Sequence, residues 1–273
     1  MTFEKKIDEV KIGIAISTYT EHGTCEDRYE IINKSLQSLH DVSKETKVNL
    51  YVVIVVDGDV PKIHNDILDK YTFDIYRRPK NGGVARTKNT SIRLLLEQGV
   101  DIGFLADDDV LYKPNCLKQY VNTILDGKIH HMGFCQMSPI VHPPHEWLSM
   151  DYYKTKINDT NVEVMHHGGG GVGCWLSFTP ELINKIGYFL VMPGKYGYEH
   201  INFTHRAVYH KMIPYASDIP NPFEYIDHIG FEPVGYNKFR KSHSITETTR
   251  IAENNKNKHL WKNNLDKFVP LIE

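Results

Sequence analysis

Asn49–Asp59 reads NLYVVIVVDGD. The run Leu50–Val56 is apolar throughout and mostly β-branched. A strand points successive side chains to opposite faces, so an uninterrupted apolar run is buried on both. That pattern marks an interior strand of a parallel sheet covered by helices on each side. The run stops at Asp57-Gly58-Asp59, a good turn sequence. Working outward, Val10–Thr18 (VKIGIAIST) is a second apolar strand ending in small hydroxyl residues. From Asp27, a plausible N-cap, Tyr29, Ile32, Leu36 and Leu39 fall at helical spacing. Phe73–Arg77 suits a short strand. NGGVARTKNTSIRLLLEQG is a glycine turn opening a helix, with Ile92, Leu95 and Leu96 on one face. DIGFLADDD is a third strong strand. Strand and helix alternate to about residue 125, which predicts an α/β doubly wound sheet. Such sheets bind ligands beyond the carboxyl ends of their strands. Here those ends carry Ser17-Thr18, Asp57 and Asp107-Asp108-Asp109, so all three polar groups are expected on one rim.

The aspartates in GFLADDDV (Gly103–Val110) pose the chemical question. Adjacent carboxylates repel, and such a cluster either sits in solvent or binds a cation. The bulk properties leave both open. The chain has 273 residues, 41% hydrophobic and 24% charged, enough for one large domain with a substantial core. A formal net charge of −2 gives no global field for nucleic acid or an anionic membrane. Locally, Lys238–Lys267 is rich in Lys, Arg and Asn. No run approaches the roughly 18 apolar residues of a membrane span, and the N-terminus has no apolar signal core. Cys25, Cys116, Cys135 and Cys174 lack metal-ligand spacing and read as free thiols of a reducing compartment, hence a cytoplasmic location. The histidine-rich interval His130–His167 also lacks paired spacing, so zinc is not expected.

Taken in order, the strand ending at Thr18, the strand ending at Asp57, NGGVARTKN and LADDD resemble the nucleotide-sugar half of GT-A glycosyltransferases, family-2-like members in particular. The later GGGGVGCWLSFTPELINKIGYF and GYEHINFTHR resemble the acceptor-side segment of the same enzymes. The match covers roughly residues 10–210. It implies a Rossmann-like mixed sheet, with residues 1–125 as the nucleotide-sugar half and 126–273 as the acceptor half and C-terminal lid or tail of the same domain. It also implies a hexosyl- or pentosyltransferase moving a sugar from a nucleotide diphosphate to an acceptor hydroxyl.

The resemblance assigns residues as well. An Asp-x-Asp at this strand end holds Mn²⁺ or Mg²⁺, hard cations that suit oxygen ligands and neutralise a leaving diphosphate. Asp107 and Asp109 fit that register, Asp107 also facing the donor sugar or ribose. Asp108 shares the assignment because three adjacent aspartates leave the register open by one. Asp57 matches the acceptor for a uracil N–H, which favours UDP donors without excluding guanine, and Thr18 would help hold base or ribose. Lys88 stands where the family usually carries an arginine, and Lys88 or Arg86 would neutralise the diphosphate. Glu199 is expected as the base or acceptor anchor. His200, replacing the family's Asp, is the rival, and that replacement leaves inversion or retention open. His228 is the expected third metal ligand, with His243 and Asp227 as competitors.

Trp147, Trp175 and Tyr198 are available for stacking on sugar, with core packing the commoner fate of such aromatics, and the turns after Ile219, with Gly230 and Gly235, for a lid. The glycines of HHGGGG (His166–Gly171) suit close approach to a sugar ring. Acceptors left open are a glycan, a protein, a small molecule or a modified nucleic-acid base. A non-catalytic nucleotide-sugar or glycan-binding module on the same fold is the alternative, favoured by the lost Asp; a nucleotidyltransferase lacks its long basic N-terminal loop.

Overall fold

The structure is a computed structural model that describes residues 3–22, 24, 26–45, 48–134, 153–166, 172–194, 197–229, 256–257, 259–260 and 262–273. Its centre is a six-stranded sheet in the order β3-β2-β1-β4-β9-β6. Strands β1 (Lys11–Thr18), β2 (Asn49–Val56), β3 (Asp74–Arg77) and β4 (Ile102–Asp107) run parallel. Strand β9 (Val172–Phe178) adds to β4 antiparallel, and β6 (Gly133–Phe134) adds antiparallel to β9. The sheet is therefore mixed, with its parallel half built from the apolar runs that the sequence singles out. Ile12, Ile14, Ile16, Val53 to Val56 and Phe104 to Ala106 are buried, as double-sided cover requires.

Helices α1 (Glu26–Glu45), α2 (Lys62–Leu68) and α3 (Val84–Glu97) follow the first three strands, and α4 (Cys116–Gly127) comes after the acidic strand end. Tyr29, Ile32, Leu36 and Leu39 are buried along α1, at the spacing expected. Asp27 does not cap that helix; it lies inside the first turn, one residue after Glu26. On α3, Ile92 and Leu95 are fully buried and Leu96 only partly.

The second half supplies α5 (Pro180–Ile186) and α6 (Glu199–Tyr209). Thr179 caps α5 by accepting from the Leu182 N–H at 3.3 Å. Strands β7 (Tyr153–Lys156), β8 (Glu163–His166) and β10 (Ser217–Asp218) make a separate three-stranded sheet.

Two short strands decide the site. The chain turns at Asp108-Asp109 directly after β4, and β5 (Val110–Tyr112) leaves the main sheet to pair antiparallel with β11 (Ile226–His228). His228 stands opposite Val110, and the Ile229 N–H donates to the Asp109 carbonyl at 2.9 Å. His228, the expected third metal ligand, is thereby carried to the acidic turn.

Trp175 is not a sugar platform. It is fully buried on β9 and stacks on Phe104 with ring centroids 4.6 Å apart. The Arg206 guanidinium donates to the Ile186 and Tyr188 carbonyls and to Asn202, closing the end of α5. The segment around Val269 docks there too. Gly187, in the left-handed region at φ 76°, bridges to Val269, and a Cβ on it would lie 1.9 Å from the Val269 carbonyl oxygen. No helix of the described residues is long and apolar enough to cross a membrane. Cys116 and Cys174 are free and buried, and burial pushes both thiols up, away from reactivity. Cys25, Cys135, Trp147, Gly230, Gly235, His243 and the glycines 168–171 lie outside the described residues.

Candidate active site

The strand-end groups share one rim. Ser17 pairs with Asp107 in the β1–β4 register, and the Asp57 N–H donates to the Thr18 carbonyl at 3.0 Å. The three aspartates separate there because successive residues at a strand end point to different sides.

Asp108 points inward. It is buried and accepts from the Thr18 hydroxyl on one oxygen and from the Arg28 guanidinium on the other. Burial alone would lower the Arg28 guanidinium, but Asp108, Asp109 and Asp107 together raise it. Asp107 and Asp109 meet other groups. Asp107 Oδ1 accepts from Lys88 Nζ at 2.9 Å. Burial and neighbouring Asp109 raise the Asp107 carboxyl, with Lys88 opposing them. Asp109 Oδ1 lies 3.2 Å from His228 Nε2. Burial alone would raise the Asp109 carboxyl, but His228 and Arg28 hold it well below the usual carboxylate range. Asp227 is turned to Lys113, 2.8 Å away.

Lys88 ties this acidic turn to the acceptor side. Fully buried on α3, its ammonium donates both to Asp107 and to the Gly173 carbonyl, the latter at 2.6 Å. Gly173 in turn faces His200: a Cβ there would lie 3.1 Å from His200 Nδ1. His200 Nδ1 is 3.5 Å from Glu199 Oε1. Burial would raise the Glu199 carboxyl, but His200 and Lys88 lower it, so it is an anion at neutral pH. Glu199 is buried at the start of α6, while the His200 ring is a fifth exposed (20%). Asp107, Lys88, Gly173, His200 and Glu199 thus form one contiguous line.

Asp57 occupies the rim one strand over. Its Oδ1 accepts from Arg78 and from the Gly82 N–H at 3.0 Å, and its Oδ2 from the Gly83 N–H at 3.0 Å. It therefore holds the NGG loop through backbone donors. Arg78 also donates to Thr87, on the first turn of α3, at 3.2 Å. Arg86 lies beside this loop and donates to the Glu273 carbonyl at 3.1 Å. The sequence reading brings together Thr18, Asp57, Lys88, the aspartates, Glu199, His200 and His228. It missed Arg28, Arg78 and His64. Arg28 had a signal: it shares the α1 stripe of Ile32, Leu36 and Leu39, where a charge requires a buried partner.

His64 backs the rim from α2. It is fully buried, with Nε2 3.1 Å from the Thr18 hydroxyl and Nδ1 2.7 Å from the Thr20 hydroxyl. Since Thr18 donates to Asp108, it accepts from His64 Nε2–H, and Thr20 then donates to Nδ1. Every proton is placed by a neutral imidazole. Burial accordingly lowers His64 to about 4. His131, fully buried between the Ser177 carbonyl and the Thr204 hydroxyl, is also lowered by burial to about 4. Both folded values lie below the ordinary 6.5, so the unfolded chain binds more protons between the two limits. Stability is expected to fall as pH drops through about 6.5 and to level off near 4. The pair contributes a loss of roughly 4 kcal/mol between pH 7.5 and 5. Urea unfolding at those two pH values measures it, and equal midpoints would contradict the burial of neutral histidines.

The donor set suits a hard divalent cation. Asp109 Oδ1 is buried and, despite the nearby imidazole, lacks hydrogen-bond geometry to any partner among the described residues. A carboxylate oxygen and an imidazole nitrogen 3.2 Å apart match the roughly 3 Å edge of an octahedral shell with bonds of about 2.1 Å. Among the described residues no three such side chains stand close enough to complete a shell, and Asp107 is paired with Lys88.

The mixed sheet and its acidic rim have the GT-A architecture. Residues 14–212 match the model of glycosyl transferase family 2, and the chain belongs to that family. It is 38% identical over 269 residues to an uncharacterized glycosyltransferase of Acanthamoeba polyphaga mimivirus, covering 97% of this chain and 96% of the relative. The fold is similar to that of a mannosyltransferase from Pyrobaculum calidifontis in complex with GDP-Man and Mn²⁺, at a TM-score of 0.59 and 14% identity. That alignment covers 88% of this chain and 62% of the larger structure. S. aureus TarS 1-349 in complex with UDP-GlcNAc is similar at a TM-score of 0.52 and 17% identity, over 85% of this chain and 64% of the TarS 1-349 chain.

Proposed function

We propose that this family 2 glycosyltransferase moves a hexosyl or pentosyl group from a UDP-sugar to an acceptor hydroxyl, with inversion, using a divalent cation held by Asp109, His228 and Asp107. The observation that carries the reading is the line from Asp109 and Asp107 through Lys88 and Gly173 to His200 and Glu199. It joins a leaving-group site to a proton acceptor within one rim. When bound, Mn²⁺ or Mg²⁺ would neutralise the charge that develops on the departing diphosphate.

The protein's own groups do the rest. Asp57, fixed by Arg78 and the NGG loop, offers its remaining Oδ2 acceptor site to the N–H edge of uracil. Thr18 contributes through its backbone, since its hydroxyl is committed to Asp108 and His64. Arg86 stands at the helix start, where a diphosphate sits favourably. Glu199 and His200 act as a unit. The buried carboxylate orients the more exposed imidazole, and the imidazole takes the acceptor proton. The new bond forms between the acceptor oxygen and the anomeric carbon while the bond to the diphosphate oxygen breaks. A base on the acceptor side supports this single displacement, hence inversion. Buried free thiols suit a reducing, cytoplasmic setting.

Thermal unfolding with UDP or GDP, each with Mn²⁺, tests the donor assignment. UDP is expected to raise Tm more than GDP at equal concentration. A larger shift with GDP would reverse the assignment of Asp57.

A further inference from the structure

The middle aspartate has no role in the proposed chemistry, yet it is the best-anchored of the three. Asp108 is buried, and its two oxygens are taken separately by Arg28 from α1 and by Thr18 from β1. Behind Thr18, His64 from α2 and the Thr20 hydroxyl extend a one-way series of donors, Thr20 to His64 to Thr18 to Asp108. Three elements therefore converge on one side chain of a two-residue turn.

We infer that Asp108 is a positioning residue: clamped by Arg28 and by the Thr18–His64–Thr20 chain, it fixes the β4–β5 turn so that Asp107 and Asp109 present their carboxylates together on the opposite side. This inference rests on the reading of Asp107 and Asp109 as cation ligands. The physical argument is one of repulsion. Three adjacent carboxylates push apart unless one is neutralised, and a solvent-facing middle residue would let the turn rotate among arrangements. Arg28 removes one negative charge from the cluster and lies close enough to act on Asp109 and Asp107 as well. Among the described residues its hydrogen bond goes to Asp108, and its buried Nε has no partner. The site then keeps Asp109 beside His228 and Asp107 on Lys88. Groups behind metal ligands set affinity by fixing ligand orientation, and their loss typically weakens binding by about 10- to 100-fold.

The test is Mn²⁺ binding by the whole chain, read from the electron paramagnetic resonance of free Mn²⁺, with thermal unfolding of each variant alongside. The double variant Arg28→Met/Asp108→Leu removes both buried charges together and leaves neither unpaired. It is expected to stay folded and to bind Mn²⁺ about 10-fold more weakly or worse. Arg28→Lys keeps the charge and should stay within about threefold of wild type. Thr18→Val, nearly isosteric, decides the matter if the double variant does not fold; a loss of roughly threefold or more is expected from it. Wild-type Mn²⁺ affinity in the folded double variant, or in Thr18→Val where the double variant is unfolded, overturns the inference. Asp109→Asn separates the two levels. If it too binds like wild type, the metal reading and this inference both fall. If it loses binding while the clamp variants do not, only the clamp is wrong.

Discussion

Glu199→Gln is expected to lower the rate of glycosyl transfer by about 10²- to 10⁴-fold, the range that a positioned base contributes. Gln has the same shape, so the start of α6 and its packing should persist. What is lost is the negative charge 3.5 Å from His200 Nδ1. Without it the imidazolium formed by proton transfer is not stabilised, and the ring is free to turn on the opening that Gly173 provides. His200→Gln removes the proton acceptor itself and should cost about as much. Because the two act as a unit, the double variant should be little worse than the poorer single variant. Steady-state rates with saturating donor measure all three, and donor affinity should be unchanged because neither group faces the nucleotide. Additive losses would mean that Glu199 and His200 work separately.

Asp109→Asn is expected to reduce turnover by about 10³-fold or more, comparable to losing a few kcal/mol of charge stabilisation on the leaving group. The substitution is isosteric and leaves the Asp108 clamp in place. Its effect is electrostatic. His228 and Arg28 keep Asp109 ionised although its Oδ1 is buried, and a neutral amide cannot replace that charge toward a divalent cation. His228→Gln should cost less, since it removes a neutral donor. Comparing kcat for the two variants at saturating Mn²⁺ checks the order, and a larger loss from His228→Gln would assign the site to the histidine.

Much of this architecture is legible before any coordinates. The parallel strands announce themselves because double-sided burial demands unbroken apolar runs, as in Leu50–Val56, and the sheet rule then places Thr18, Asp57 and the aspartates on one rim. What stays hidden is what short or distant segments decide. Strands β5 and β11 have three residues each, too few for a period to show, yet their pairing carries His228 to Asp109. The division of labour within Asp107-Asp108-Asp109 is invisible for a similar reason. Identical residues are told apart only by their partners, and Arg28 lies 80 positions from Asp108 in the chain. Trp175 follows the commoner fate of an aromatic: β9 inserts beside β4 and buries the ring against Phe104.

The central claim is a cation-assisted departure of a nucleoside diphosphate from the Asp109 rim. Release of UDP from UDP-sugars tests it most directly, measured for the wild-type chain with Mn²⁺, with EDTA, and for Asp109→Asn with Mn²⁺. The account predicts release only from the wild type with Mn²⁺. Release that persists undiminished in EDTA, or in Asp109→Asn, would contradict it.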